Sequence, residues 1–231
     1  MFPIKDSIPS SGRAFVNWAL IAINCGVFIY EFRLPPEALD AFIFQWGLIP
    51  RDLGLGVGGG EMAGALSETP TVVSSMFLHG GLGHLLGNML FLWIFGDNVE
   101  DRLGHVAYAI FYILCGVAAS SVQVFSNVDS PVPIVGASGA IGGVMGAYMI
   151  SFPRARVLTV FIIFIFVRLI WIPAFFYLGL WFAIQLLSAT ASSGTPGGGV
   201  AFWAHVGGFG AGILLLFPLL RMGARRRARA R

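Results

Sequence analysis

What most constrains this chain is a series of apolar runs too long for surface elements and too numerous for one soluble core. Four of them, near residues 14–32, 104–125, 172–188 and 200–220, approach the ~20 apolar residues a helix needs to cross a bilayer. In lipid every backbone polar group must be satisfied within the protein, so such runs fold as helices. Charge is correspondingly scarce, 11% of the 231 residues, against roughly 25% in a soluble domain. Mean hydropathy is +0.82. The fold class expected is all-α: a polytopic membrane protein, a bundle of transmembrane helices.

The apolar runs give candidate spans in chain order. Span 1 covers about Ala14 to Tyr30, and no small-residue cleavage site precedes Glu31, so it reads as a retained span and not a signal peptide. In the long connection that follows, Ala38 to Trp46 is apolar, aromatic and too short to span, which suits an interfacial segment. Gly54 to Gly60 is glycine-rich and expected to be irregular. Span 2 runs from about Leu82 to Ile94, with Gly96 to Arg102 as a polar turn. Span 3 is about His105 to Phe125, and span 4 about Ala137 to Ile150.

The stretch from Val157 to Ala189 is interrupted by Arg168 and Pro173. It holds either two short spans or a buried or interfacial piece, Val157 to Val167, ahead of span 5 from about Ile172 to Leu187. Span 6 covers about Val200 to Leu220 after a flexible loop, Ser192 to Gly199. Charge selects the six-span option. It gathers Lys5, Arg13, Arg102, Arg154, Arg156, Arg168, Arg221 and the tail arginines on the cytoplasmic side and leaves only Arg33 and Arg51 outside, as positive-inside topology requires. Residues 1–13 are then a short cytoplasmic N-terminus, 14–220 the six-span domain, and 221–231 a basic cytoplasmic tail. After a membrane span such a tail faces anionic lipid in preference to nucleic acid.

In this topology spans 2, 4 and 6 all begin at the outer face, and each carries polar side chains in its first turns. These are His84 and Asn88, Ser138, and His205 respectively. All lie roughly 10 Å below the outer surface at ~1.5 Å rise per residue. Polar groups at that depth face the bundle interior or a wet cavity. Gly139 and Gly143, Gly142 and Gly146, and Gly208 and Gly212 are small-xxx-small pairs that let helix backbones approach closely. Contact between spans 4 and 6 would bring the Ser138 hydroxyl to the His205 ring, where a base can take its proton. His84 and Asn88, four apart on one helix face, would offer donors to an oxyanion, together with the Ser138 backbone N–H.

Each residue also has a structural reading: Ser138 as a helix N-cap, His205 and His105 as packing histidines, His84 and Asn88 as interhelical hydrogen-bonding groups. The conjunction at one depth favours chemistry. Other chemistries are poorly served. His79 and His84 are not in metalloprotease spacing, so no metal is expected. Gly136 to Ala140 is not a nucleophile elbow, no carboxylate is placed to complete a triad, and no phosphate or other cofactor motif occurs. Cys25 and Cys115 both fall inside spans and read as packing residues.

These residues resemble the rhomboid intramembrane serine proteases over nearly the whole chain. The carriers are Gly136-Ala137-Ser138-Gly139, His205-Val206-Gly207-Gly208, His79 to Asn88 opening span 2, and Glu100-Asp101-Arg102-Leu103-Gly104 before span 3. The resemblance implies a Ser138 nucleophile, a His205 base, oxyanion stabilisation by His84, Asn88 and the Ser138 N–H, and supporting roles for His79, Gly136 and Gly139. It also implies a partly embedded first loop, span 5 as a lateral gate, and substrates that are single-span membrane proteins cut near the outer end of a locally unstable helix, after a small residue. Two departures stand out. Some members carry a tyrosine that stacks on the base where this chain has Gly142, so ring orientation falls to another group, Phe209 or Tyr148. No Trp-Arg pair occurs in the first loop. With no soluble N-terminal domain and no seventh span, the chain resembles the minimal six-span form, as in a bacterial inner membrane.

The function expected is an intramembrane serine endopeptidase working through an acyl-enzyme. The alternative is a non-catalytic rhomboid-like protein that binds or remodels membrane-protein helices, but such relatives would lack the serine or the histidine. A transporter would need polar groups deeper in the spans.

Overall fold

The computed structural model describes residues 2–10, 12–55, 69–163, 166–192 and 199–229, with side chains at all of these except 69, 162, 163 and 222–229. Most of the glycine-rich stretch, the loop before span 6 and the tail arginine side chains lie outside the described residues. Eight α-helices are described: α1 (Phe15–Glu31), α2 (Pro36–Trp46), α3 (Thr69–Ser74), α4 (Leu82–Leu103), α5 (His105–Ser126), α6 (Ser138–Ser151), α7 (Ala174–Ser192) and α8 (Phe202–Arg229). Three are long and apolar enough to cross a membrane: α5, α7 and the Phe202–Arg221 part of α8. The pair Pro70–Phe77 and Leu82–Leu103, bent by 92°, adds a fourth if taken as one broken span. The chain is an integral, multi-pass helical membrane protein.

Hydrogen bonds between helix ends fix the directions of the long helices. The start of α1 meets the end of α4, where Val16 and Asn17 N–H donate to Glu100 at 3.0 and 2.7 Å. The end of α1 meets the approach to α4, where His79 N–H donates to the Glu31 carboxylate. Ala204 N–H at the start of α8 donates to Gln123 Oε1 near the end of α5 at 3.0 Å. Thus α4, α6 and α8 all begin on one side, called here the Ser138 side, as the placement of their polar residues implied.

Helix α6 lies at the centre, buried without interruption from Gly139 to Met149. Its residues are small or apolar on every face, the signature of a helix surrounded by others. A Cβ on Gly139 would lie 2.6 Å from the Ala119 Cβ of α5, and one on Gly212 would lie 2.0 Å from the Gly143 carbonyl oxygen. The glycine pairs therefore work as their spacing predicts, letting α5 and α8 close on α6 from two sides. Around them Phe95, Tyr108, Phe111, Tyr112, Val144 and Tyr148 form a core from which solvent is excluded.

One reading from sequence is corrected. Residues 96–102 are not a turn: α4 runs unbroken to Leu103. Asn98 and Glu100 are 3% and 1% exposed, and their polar groups are satisfied by partners brought from elsewhere, so the helix need not end. His105 keeps the structural role expected of it, its ring centroid 5.6 Å from that of Phe15 and its Nδ1 2.5 Å from Glu100 Oε1.

Of the two alternatives for Val157 to Val167, the buried or interfacial piece holds and the second span does not: its described residues are β-strand, with Val157 and Thr159 buried. β2 (Arg156–Ile163) and β3 (Phe166–Pro173) form an antiparallel hairpin, and β1 (Phe2–Asp6) adds to its other edge, giving the order β1-β2-β3. Its richness in valine, isoleucine and threonine suits a pleated surface. Pro3, Val157 and Thr159 turn one face into the protein, while Lys5 lies 5.9 Å above the Trp171 ring on the other. Ala174 N–H donates to Ala155 O at 2.7 Å, turning the chain from the hairpin into α7.

Candidate active site

Ser138 is the first helical residue of α6, and Ala137 takes the N-cap position. The capping reading of the serine is thereby replaced: its hydroxyl is hydrogen-bonded to His205 Nε2 at 2.8 Å. The loop delivering it is fixed by its neighbours. Ile134 and Leu48 exchange backbone hydrogen bonds of 2.8 and 3.1 Å, and Gly136 N–H donates to Ser75 O at 2.8 Å.

Gly136 has φ +122°, and a Cβ there would lie 2.8 Å from His84 Nε2 and 3.7 Å from Ser138 Oγ. A glycine is required at this point for both conformation and space.

His205 sits in the first turns of α8 and is 8% exposed. Close approach to α6 is what delivers it, because a Cβ on Gly208, one turn on, would lie 1.9 Å from the Gly139 carbonyl oxygen. Its second ring nitrogen, Nδ1, lies 2.7 Å from Gln185 Oε1 on α7. Trp181, one turn before Gln185, has its ring centroid 5.8 Å from that of His205. Neither group proposed from sequence to orient the base does so. Phe209 stacks on Phe182 at 4.7 Å, and the Tyr148 hydroxyl donates to Asp6 near the opposite side of the protein.

Gln185 is the residue that reading the sequence missed. The signal was available, since it is the one amide in the apolar run 174–187, and a polar group inside a span calls for a partner.

Asn88 lies one turn after His84 on α4. It is 7% exposed, and among the described residues its Nδ2 is buried with no hydrogen-bond partner. An unpaired buried donor costs about 1–3 kcal/mol. His79 packs edge-on against His84, ring centroids 5.2 Å apart, with both of its own nitrogens unpaired among the described residues. His79 thus touches His84 and not the serine–histidine pair.

His84, Asn88, Ser138, Trp181, Gln185 and His205 all line one open cavity of about 1180 Å³. A nucleophile bonded to a base, donors nearby and room for both a peptide and water make up the parts needed for acyl transfer. Among the described residues no group of histidine, cysteine and carboxylate side chains is arranged to hold a metal ion.

Residues 67–222 match the rhomboid domain family. The chain is 28% identical to "Rhomboid protein 1, mitochondrial" of Saccharomyces cerevisiae over 85% of its own length and 51% of the yeast protein. It is 38% identical to "Rhomboid protease GluP" of Bacillus subtilis, over 37% of this chain and 16% of that one. It is 33% identical to "RHOMBOID-like protein 5" of Arabidopsis thaliana, over 34% of this chain and 25% of the plant protein. The chain thus spans about half or less of the length of these relatives. With the domain match covering more than half of its residues, the chain belongs to the rhomboid family.

Proposed function

We propose that this protein is an intramembrane serine endopeptidase that cleaves transmembrane segments of other membrane proteins through a Ser138–His205 dyad. The observation that carries the reading is the 2.8 Å hydrogen bond between Ser138 Oγ and His205 Nε2 inside a cavity open to water.

Ser138 Oγ attacks the scissile carbonyl carbon while its proton passes to His205 Nε2, so the nucleophile carries no full negative charge. The carbonyl oxygen becomes an oxyanion. Asn88 Nδ2, the His84 ring and the Ser138 N–H at the start of α6 are the donors for it, aided by the positive end of the helix. Collapse breaks the C–N bond, and the departing amine takes the proton from Nε2. The remaining ester is hydrolysed when a water from the cavity gives its proton to the same nitrogen and attacks the acyl carbon. The bond from the acyl carbon to Ser138 Oγ then breaks, Oγ takes the proton back from Nε2, and the products are a new carboxylate and regenerated Ser138. Gly136 keeps the space between His84 and the serine clear, Gly139 lets α8 close, and His79 backs the His84 ring.

A regular helix hides its carbonyls in hydrogen bonds, so the substrate is a transmembrane segment that unwinds near the Ser138 side. We place the protein in a bacterial inner membrane with six spans (α1, the α3–α4 pair, α5, α6, α7 and α8), the Ser138 side outward and both termini cytoplasmic. Positive charge distribution supports this orientation.

The test is labelling of the detergent-solubilised protein with a fluorophosphonate probe. Labelling that disappears in both Ser138→Ala and His205→Ala is the expected result. A folded native protein that takes no label would overturn the reading in favour of a non-catalytic relative.

A further inference from the structure

We infer that Gln185 is the positioning residue of the base, and that helix α7 thereby controls whether the dyad is competent. The inference rests on the proposed dyad and adds a third group to it.

A neutral imidazole carries its proton on one nitrogen only, and the bond made by the other nitrogen decides which. The Gln185 amide oxygen, 2.7 Å from Nδ1, can only accept. It holds the proton on Nδ1 and leaves the Nε2 lone pair free for the Ser138 hydroxyl. Without it the ring can adopt the other tautomer, with an N–H aimed at Ser138 Oγ and no lone pair to take its proton. When Nε2 receives the serine proton, the Gln185 oxygen remains bonded to the Nδ1–H of the resulting cation and stabilises it.

Stacking from α6 is not available for this purpose. Gly142 carries no ring, and a Cβ there would lie 3.0 Å from His205 O and 3.4 Å from Phe209 N, so any side chain at that position requires α8 to give way by a few tenths of an ångström. Orientation has therefore passed to α7, through the Gln185 oxygen and the neighbouring Trp181 ring.

Helix α7 is also the least enclosed of the long helices, with 22% of its apolar window buried against 39% for both α5 and α8. Phe175, Phe176, Leu180, Ile184 and Leu187 all face outward. A helix so placed can shift at small cost, and any shift that parts Gln185 from His205 leaves the base without its acceptor. Chemistry is thereby tied to the seating of α7.

The experiment compares native protein with Gln185→Met, of similar volume but with no acceptor, and Gln185→Glu, by fluorophosphonate labelling rate across pH, with thermal unfolding to confirm folding. Gln185→Met is expected to label about ten- to a hundredfold more slowly, within the range a general base contributes. In Gln185→Glu the carboxylate favours the imidazolium, so the low-pH limb of the rate profile should move to higher pH while the plateau is retained. Native rates and an unshifted limb in both variants would overturn the inference and leave the dyad standing. Absence of label in the native protein would overturn both.

A second measurement needs no variant: ¹⁵N NMR of histidine-labelled native protein should find the His205 proton on Nδ1. A proton on Nε2 would refute the assignment.

Discussion

The carbonyl oxygen of Gly139 occupies the space that a side chain on Gly208 would need, 1.9 Å from where its Cβ would be. One residue stands beside the serine and the other one turn after the histidine, so this contact sets the distance between them. Gly208→Val should force α6 and α8 apart, at about 1–3 kcal/mol for overpacking. The fluorophosphonate rate should fall by more than the loss of folded protein accounts for. Labelling normalised to folded fraction checks this, and an unchanged normalised rate would separate the helix contact from the chemistry.

Gly136→Ala should act more locally. The methyl group would meet the His84 ring, and the residue would be held at φ +122°, a conformation costing on the order of 1–3 kcal/mol for a non-glycine residue. We expect at least a tenfold lower rate of peptide cleavage by the folded fraction, beyond the melting-temperature loss of about 2–4 °C that each kcal/mol of that cost implies. Kinetics on a transmembrane peptide in detergent, beside a thermal melt, distinguish this from general destabilisation.

Glu100 makes its contribution far from the site. Its two carboxylate oxygens accept the N–H groups of Val16 and Asn17 at the start of α1 and contact His105. Glu100→Ala would leave those buried donors unpaired, at about 1–3 kcal/mol. The melting temperature should fall while the labelling rate of the folded fraction stays native. Glu100→Gln, which keeps an acceptor, should recover part of the loss.

Asp6 gives the fold a pH dependence of defined sign. Burial raises its carboxyl above the ordinary value, while the hydrogen bond from the Tyr148 hydroxyl lowers it in part. A carboxyl with a raised folded-state pKa binds its proton more tightly in the native protein. Its contribution to stability is therefore fullest below the ordinary carboxylate pKa and is lost as pH rises through the raised value. Asp6→Asn keeps an acceptor for Tyr148 without the charge, so its melting temperature should gain on native as pH increases from acid to neutral. Parallel melting curves for the two proteins across that range would exclude the effect.

Where sequence and structure agree, the deciding physics is local or periodic. Apolar runs marked the helices because lipid leaves the backbone no alternative, and the spacing of Gly208 and Gly212 marked the α6–α8 contact because small residues one turn apart line one face. Where they differ, the deciding partner is remote in sequence. Asn98 and Glu100 look like turn residues until Asp6 and the start of α1 arrive to satisfy them. Gln185 is an isolated amide until α8 brings His205 to it. The hairpin at 156–173 has the residues of a strand, but exposed apolar side chains on β3 erase the alternation by which a half-buried strand is read.

The strand Phe2–Asp6 carries one more consequence, which concerns the order of assembly. Its partners, Val157 to Val160, are synthesised only after four of the long helices have been made. Pairings between such distant segments form late, because the intervening chain must first be ordered. The strand Phe2–Asp6 is thus among the last pieces to find its place, and it waits unpaired while the bundle forms. A bulky segment attached ahead of Phe2 would burden that final step, whereas one attached beyond Arg229 would leave it free.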